Sequence, residues 1–360
     1  MFQNRTLAEC LDERRNSFNL VRLVAALSVI VSHGYLLMGQ GDAQPLKSFT
    51  PYTIGQHAVN VFFVLSGLML TRSLYRDPSL ANFALSRALR IFPALFAFGI
   101  AFAFLAGPFL STLSVGHYLS DTHTLLYPIA ILVQFNMAPA PHGIFTGVPM
   151  ASAINDSLWT IRYEITAYVC LAILFGLGLL RTATGAAAFL GLMLLAMIAY
   201  ALGWLGPEHS PVEQLSRYGF CFLVGVNLYH WRARISNAWA WLIPTALAAV
   251  FLHGTLLAAP AFILLAGHAA ILFGTRDFGA LTSWTRETDI SYGTYIYGWP
   301  VQQTLLTMAS GITPAMLAFC SLLVVPVCGL LSWRYVEEPA LRLKRSLRLG
   351  RQALAKSPSA

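Results

Sequence analysis

Residues 18–33 read FNLVRLVAALSVIVSH, an apolar helical stretch with an arginine near one end and a histidine at the other. It is the first of a series of apolar runs that continue almost to the end of the 360-residue chain. Of these residues 57% are hydrophobic and 11% are charged, whereas a soluble domain is about a quarter charged. The composition therefore excludes an ordinary soluble protein and predicts a membrane protein with several spans.

The apolar runs predict an all-α integral membrane protein with about ten transmembrane helices. These runs cover residues 18–38, 57–74, 91–110, 157–180, 185–205, 214–230, 238–253, 256–274, 291–309 and 312–334. A weaker candidate at 119–135 contains Asp121, His123, Pro128 and Gln134. Because these residues interrupt its apolar character, we interpret it as an additional re-entrant or surface segment on the outer side.

The distribution of basic residues predicts the orientation of the chain. With ten spans, both termini are cytoplasmic, and of the 23 basic residues only Lys47, Arg162 and Arg217 fall at or near the outer side. This asymmetry follows the positive-inside rule and favours ten spans. We expect a multi-pass protein of the cell inner (cytoplasmic) membrane. We expect a cytoplasmic N-terminal segment at 1–17, one membrane domain at 18–335 and a basic cytoplasmic tail at 336–360.

The tail and the cysteines have simple physical interpretations. The basic side chains of the tail alternate with leucines as in an amphipathic helix, and they suit anionic lipid headgroups; they are Arg342, Lys344, Arg345, Arg348 and Arg351. The five cysteines form no CxxC pair or Cys/His cluster, so we expect no disulfide framework and no metal site. The histidines other than His33 are expected to be structural or superficial.

Ionisable side chains inside the apolar runs are the candidate functional residues, because a charge at mid-bilayer costs about 3 kcal/mol. Arg22 and His33 are eleven residues apart, so a helix places them on one face, about 16 Å from each other. Glu164, in WTIRYEITAY (159–168), lies one to two turns into its segment from the outer side. We predict that His33 and Glu164 form an acid–base pair. A structural ion pair, a neutral hydrogen-bonded histidine and an Arg22 that snorkels to the interface are the alternatives.

Two further stretches carry polar groups of interest. SRALRIFP (86–93) opens the third predicted span and places Arg87 and Arg90 at i,i+3, a spacing that suits phosphate. Basic residues are also the default at cytoplasmic helix ends, which is the alternative interpretation. VNVFFVLSGLMLTRSL (59–74) contains Asn60, Ser66 and Gly67, and small residues there favour close helix packing.

Six stretches, in order along nearly the whole chain, resemble the membrane acyltransferase family 3, the multi-pass acetyltransferases that modify cell-surface glycans. They are FNLVRLVAALSVIVSH (18–33), VNVFFVLSGLML (59–70), RALRIFP (87–93), DSLWTIRYEITAYV (156–169), ISYGTYIYGWPVQQ (290–303) and WRYVEEPALRL (333–343). In one departure, Asn19 stands where the family often has an aspartate three residues before the first-helix arginine. We expect Asn19 to cap the helix start instead.

The resemblance implies acetyl-CoA, or another acyl-CoA, as a cytoplasmic donor and co-substrate, with no permanently bound cofactor. The acceptor it implies is a hydroxyl of an extracytoplasmic glycan or glycolipid, and it implies no nucleic-acid partner. By the same resemblance His33 is the general base, and Glu164 orients it. Arg22, Arg87 and Arg90 bind the donor, and the site is lined by Asn60, Ser66, Trp159 and Tyr292.

Several questions stay open at the level of sequence. A proton-coupled transporter or flippase of a glycan or lipid intermediate would also use intramembrane histidine and glutamate. An assembly partner of a polysaccharide synthase is a second rival. The sequence distinguishes neither acetyl from succinyl donors nor direct transfer from an acyl-histidine intermediate. The acceptor sugar and the oligomeric state are equally undetermined.

Overall fold

A computed structural model of the chain describes residues 5–13, 16–150, 154–206, 210–309 and 311–343. These residues form helices and loops, and no β-strand occurs among them. In chain order the helices are α1 (Leu7–Asp12), α2 (Phe18–Leu36), α3 (Ile54–Arg76), α4 (Leu80–Ile100), α5 (Gly107–Leu110), α6 (Val115–Ser120), α7 (Thr122–Gln134), α8 (Trp159–Gly176), α9 (Ala183–Ala201), α10 (Pro211–His230), α11 (Leu242–Phe251), α12 (Ala258–Gly274), α13 (Ala280–Glu287), α14 (Ser291–Met308) and α15 (Pro314–Ser332).

Six helical stretches in the described part of the chain are long and apolar enough to cross a membrane. They are Phe18–Leu36, Ile54–Arg76, Leu80–Leu110, Asp156–Gly176, Ala183–Ala201 and Pro314–Leu343. The all-helical, multi-pass class predicted from composition is thereby confirmed. The other predicted apolar runs contain α10, α11, α12 and α14, and the count of ten spans stays a prediction.

The weak candidate at 119–135 contains a short helix. Helix α7 has 13 residues, so it is about 20 Å long and falls short of the ~30 Å hydrocarbon core of a bilayer. Asp121 caps its start, where Oδ2 accepts the backbone N–H of Thr124 at 3.2 Å. A segment of this length fits the interpretation that it does not span the membrane.

Helix α4 begins earlier than the sequence predicts. Hydropathy places the start near residue 91, whereas the helix begins at Leu80, where the Ser79 hydroxyl accepts the backbone N–H of Asn82 at 3.3 Å. A π-helical turn at Ala101–Ala106 then continues it into α5. Arg87 and Arg90 therefore lie two to three turns inside a helix rather than at its beginning.

The chain divides into two compact units. The first comprises Met1–Pro78 with Thr160–Ser291, and the second comprises Ser79–Trp159 with Tyr292–Ala360. In the first unit, α3 packs against α2, α10 and α12. In the second, α4 packs against α7 and against the π-helical turn Trp333–Glu337 that follows α15.

Small residues allow α3 and α10 to approach closely. A methyl group on Gly67 would overlap the backbone carbonyl of Phe222, and one on Gly225 would overlap the carbonyl of Val64. The two glycines thus place the backbones of the helices in direct contact, as small residues do between membrane helices. The packing role predicted for Gly67 is confirmed.

The N-terminal segment docks on the first unit. Thr6 and Glu9 form a capping box at the start of α1, and the backbone N–H of Leu7 donates to the carbonyl of Ile235 at 2.9 Å. Leu7 and Leu11 are buried in one apolar cluster with Phe18.

All five cysteines are free thiols. The tail was predicted to form an amphipathic helix, and its residues after 343 lie outside the part of the chain that the structure describes.

Candidate functional site

Helix α2 carries two of the predicted site residues on one continuous element. It runs unbroken from Phe18 to Leu36, so Arg22 and His33 lie three turns apart on the same face, as predicted. Ala26 and Val29, which lie between them on that face, are 0% and 3% exposed. The face is therefore buried, which is where ionisable groups of a membrane helix are expected.

Arg22 has an acidic partner supplied by the segment before α14. Its Nη1 lies 3.5 Å from Oδ2 of Asp289, and Asp289 also accepts a hydrogen bond from the Ser291 hydroxyl at 2.6 Å. Arg22 thus has an acidic partner although position 19 is an asparagine. Arg22 is thus oriented by an ion pair at the start of its helix.

Asn19 does not cap the start of α2, so that expectation is wrong. The N-cap position is Ser17, and the Asn19 amide instead donates to the carbonyl of Thr285 at 3.0 Å. Thr285 lies in the last turn of α13, where carbonyls lack intrahelical donors. The side chain therefore fastens α13 to α2, near the Arg22–Asp289 pair.

Glu164 lies on α8 and accepts a hydrogen bond from the hydroxyl of Tyr168, one turn further along the same helix. This bond gives the partly buried carboxylate a neutral donor within its own helix. The predicted acid–base pair with His33 is not tested by this contact and stays a prediction.

A buried arginine that sequence analysis did not select contacts Asn60. Arg217, on α10, is 3% exposed; its Nε donates to Oδ1 of Asn60 at 2.9 Å, and its Nη2 donates to the carbonyl of Gln56 at 3.1 Å. Its guanidinium lies over the rings of Tyr52 and Tyr218, 4.0 and 5.1 Å from their centroids. The groups that contact this buried cation are neutral, and the carboxylate of Glu213 acts on it electrostatically. Burying a cation is costly and marks a functional candidate.

The contact with Arg217 leaves one polar atom of Asn60 unused. Asn60 is fully buried, and its Nδ2 has no hydrogen-bond partner among the described residues. Buried amide donors are nearly always satisfied, so a water or another bound molecule is expected to accept a hydrogen bond from this Nδ2. That Asn60 lines the site stays a prediction.

In the second unit, Arg90 is surrounded by groups from distant parts of the sequence. Its Nη1 lies 3.2 Å from Oε2 of Glu337, which is 1% exposed. The Ser332 hydroxyl donates to Oε1 of the same carboxylate at 3.0 Å. The rings of Tyr292 and Trp333 lie 5.6 and 5.9 Å from the guanidinium carbon. We call these residues, together with Arg90, the Arg90 cluster.

The cluster brings together two predicted site residues, Arg90 and Tyr292. The Tyr292 hydroxyl also donates to the carbonyl of Ile91 at 3.2 Å. Glu337 and Trp333 were missed as site residues, although the stretch that contains them was quoted for its resemblance. The sequence did contain one signal for Glu337, because it is a carboxylate that follows an apolar run. A carboxylate buried in such a place needs a cation as its partner.

The remaining predicted residues lie on three different helices, and their roles stay predictions. Arg87 lies on α4 one turn before Arg90, Trp159 begins α8, and Ser66 precedes Gly67 on α3; all three are partly buried. Of the predicted set, the first unit contains Arg22, His33, Asn60, Ser66 and Glu164, and the second contains Arg87, Arg90, Trp159 and Tyr292.

The loop before α8 is fastened to α14 within the second unit. The Asn155 amide donates to the carbonyl of Ile296 at 2.7 Å, and the Tyr295 hydroxyl donates to the carbonyl of Ser157 at 2.8 Å. Gln303 Nε2 holds the carbonyl of Met150 at 2.9 Å. These bonds fix the described residues on either side of 151–153 to α14.

Comparison with known proteins identifies the family. Residues 15–333 match the acyltransferase domain family. An O-acetyl transferase of Shigella phage Sf6 is 29% identical over 343 residues, which cover 90% of this chain and 96% of that protein. Nodulation protein 10 of Rhizobium leguminosarum bv. viciae is 29% identical over 381 residues, covering 95% of this chain and 97% of that protein. No solved structure matches the chain. Since the match extends over most of its length, the chain belongs to the acyltransferase family 3 that its six ordered motifs resemble.

Proposed function

We propose that this protein transfers an acetyl or related acyl group from a cytoplasmic acyl-CoA to a hydroxyl of an extracytoplasmic carbohydrate. The observation that carries the proposal is the buried face of α2, which holds Arg22 and His33 about 16 Å apart on one unbroken helix. The family match and the relative named O-acetyl transferase support the reaction class.

In this proposal His33 is the general base. The neutral imidazole takes the proton of the acceptor hydroxyl as its oxygen attacks the carbonyl carbon of the thioester. A C–O bond forms, the C–S bond breaks, and the imidazolium returns its proton to the departing CoA thiolate. Glu164 orients the imidazole or stabilises its charged form during this step. The exchange is balanced and needs no oxidant, reductant or resident cofactor.

The donor is held by arginines. Arg87 and Arg90 lie one turn apart on α4, where two guanidiniums suit the phosphates of CoA. Glu337 pairs with Arg90 at 3.2 Å and fixes the orientation of its guanidinium. Arg22, oriented by Asp289, contributes a further positive charge for the donor.

The site lining is proposed from the contacts of Asn60. Its unused Nδ2 is suited to donate to a carbonyl or hydroxyl oxygen of a bound substrate, while Arg217 fixes its Oδ1. Ser66, Trp159 and Tyr292 keep the lining role that the family resemblance implies. The placement of the protein in the cell inner membrane, with ten spans and both termini cytoplasmic, belongs to the same proposal.

The test is acyl transfer by the purified full chain in liposomes. Radiolabelled acetyl-CoA is supplied together with a cell-surface glycan preparation, and label in the glycan is counted for the wild type and for His33→Ala. The proposal expects transfer by the wild type and a loss of at least a hundredfold in the variant. His117→Ala, a substitution of an exposed histidine on α6, is the matched control and retains activity.

The rival functions predict different results in this assay or in a deletion strain. A transporter or flippase would move a glycan or lipid intermediate across the liposome membrane without transferring label. An assembly partner would leave surface acetylation unchanged in a deletion strain. Label transfer that survives His33→Ala would contradict the role of His33 while leaving the reaction class intact.

A further inference from the structure

A second cluster of chemically active side chains lies in the second unit, apart from the residues assigned to acyl transfer. Asp121, His123 and His142 each offer one potential ligand atom, and these atoms all lie within 4.8 Å of one another. Spacing along the chain does not indicate this, because His142 lies 21 residues after Asp121. Only the fold of the loop after α7 brings the three together.

Asp121 and His142 already contact each other through a hydrogen bond between a carboxylate oxygen and a ring nitrogen. Oδ1 of Asp121 lies 2.9 Å from Nδ1 of His142. The rings of His123 and His142 are stacked, with centroids 4.5 Å apart and planes inclined by 20°. In a tetrahedral zinc site neighbouring ligand atoms are about 3.3 Å apart. A metal ion would replace the hydrogen bond between Asp121 and His142 and would draw the three ligand atoms, now within 4.8 Å of one another, to this spacing.

The carboxylate of Asp121 is positioned by hydrogen bonds to its second oxygen, Oδ2, while Oδ1 contacts His142. Oδ2 of Asp121 accepts hydrogen bonds from the backbone N–H of Thr124 at 3.2 Å and from the Thr124 hydroxyl at 3.3 Å. It also accepts one from the backbone N–H of His142 at 3.4 Å. Such outer hydrogen bonds orient metal ligands in known sites. They also act on the pKa of Asp121: partial burial raises it, but the bonds from His142 and Thr124 outweigh burial and lower it to about 2. The group is thus a carboxylate at every physiological pH.

The backbone around His142 is fixed independently. The Ser111 hydroxyl donates to the carbonyl of His142 at 2.9 Å, and the backbone N–H of Thr112 donates to the carbonyl of Gly143 at 3.0 Å. Gly143 has φ +77°, and a Cβ there would lie 2.6 Å from the Ser111 hydroxyl, so this position requires glycine. The backbone of the loop therefore fixes the position of His142 next to Asp121.

We propose that Asp121, His123 and His142 form a binding site for a divalent transition-metal ion of the zinc type, which clips the loop after α7 to the start of that helix. Two imidazoles and one carboxylate are ligands that Zn²⁺ takes in proteins. The side chain of His142 is 61% exposed, so a solvent molecule reaches the fourth position. This metal site is separate from acyl transfer, so metal binding can be measured without an activity assay.

The test uses the full chain in detergent, stripped with EDTA and then titrated with Zn²⁺ against a colorimetric chelator. The proposal expects one Zn²⁺ per chain with micromolar or tighter affinity. It expects His123→Ala and His142→Ala each to weaken that affinity at least tenfold. His117→Ala is the control, because His117 lies nearby on α6 and bonds to Ser114 instead.

Cobalt provides a second readout, since Co²⁺ in a tetrahedral site has intense visible absorption bands that the free ion lacks. Wild type and His117→Ala are expected to show them, and His123→Gln is not. Elution as a monodisperse peak establishes that each variant is folded. Failure of the wild type to bind Zn²⁺ stoichiometrically would overturn the proposal. Equal affinity in the wild type and in the His123 and His142 variants would place any bound zinc elsewhere and overturn it too.

Discussion

The buried ion pair of the Arg90 cluster gives a prediction that combines stability with donor binding. Glu337 is 1% exposed and its carboxylate lies 3.2 Å from Arg90. At that distance the Coulomb attraction is about 5 kcal/mol for an effective dielectric constant of about 20. Removing one partner of a buried pair leaves the other charge uncompensated, which costs about 3–5 kcal/mol. Glu337→Gln keeps the shape of the side chain and removes only its charge.

We expect Glu337→Gln to lower the free energy of unfolding by about 3–5 kcal/mol, measured by denaturant titration in detergent. Glu338→Gln is the matched control, because the neighbouring Glu338 is paired with Arg342 in an exposed i,i+4 bridge. Such a bridge is worth about 0.3–0.5 kcal/mol. If both variants unfold alike, the account of the Arg90 cluster is wrong.

A double variant separates stability from donor binding. Replacing both members, as in Arg90→Met with Glu337→Leu, removes the buried charges together and is expected to restore most of the lost stability. Because it also removes the proposed phosphate ligand, binding of acyl-CoA is expected to stay weak in equilibrium dialysis. A double variant that binds acyl-CoA as tightly as the wild type would show that Arg90 has a structural role alone.

Three further predictions concern packing, the α2 ion pair and pH. Gly67→Leu is expected to destabilise the first unit by about 1–3 kcal/mol or more, since the side chain overlaps the facing helix backbone, and thermal unfolding in detergent measures it. Asp289→Asn is expected to cost about 1–2 kcal/mol in the same assay, because Arg22 loses its charged partner. The lowered pKa of Asp121 contributes stability above about pH 4 that is lost as pH falls towards 2. The free energies of unfolding of the wild type and of Asp121→Asn should therefore differ at pH 5 and become equal at low pH. A difference that stays constant with pH would show that the hydrogen bond from His142 to Asp121 is not the source of this stability.

Hydropathy was sufficient to predict most of the fold. A helix lies in each of the ten apolar runs, because a continuous apolar stretch has few alternatives to a helix in a bilayer. The start of α4 was missed because Asn82, Ser86 and Arg87 interrupt the apolar pattern, so hydropathy cannot distinguish a polar helix start from a loop. There the helix is specified by the Ser79 cap and by packing against α7.

The site was predictable only where it is encoded within one helix. The spacing of Arg22 and His33 sufficed, since both lie on α2. The contacts of Arg90 with Glu337 and of Arg217 with Asn60 join residues 247 and 157 positions apart. No local pattern encodes such pairs, and Arg217 resembled an ordinary interfacial arginine until its burial was visible.

The central claim is that His33 acts as the base in acyl transfer to a surface glycan. The most direct measurement is mass spectrometry of the glycans from a deletion strain complemented with the wild type, with His33→Ala or with His117→Ala. The account predicts acylated glycan for the wild type and for His117→Ala, and unmodified glycan for His33→Ala at equal protein level in the membrane. Full acylation in the His33→Ala strain would contradict it.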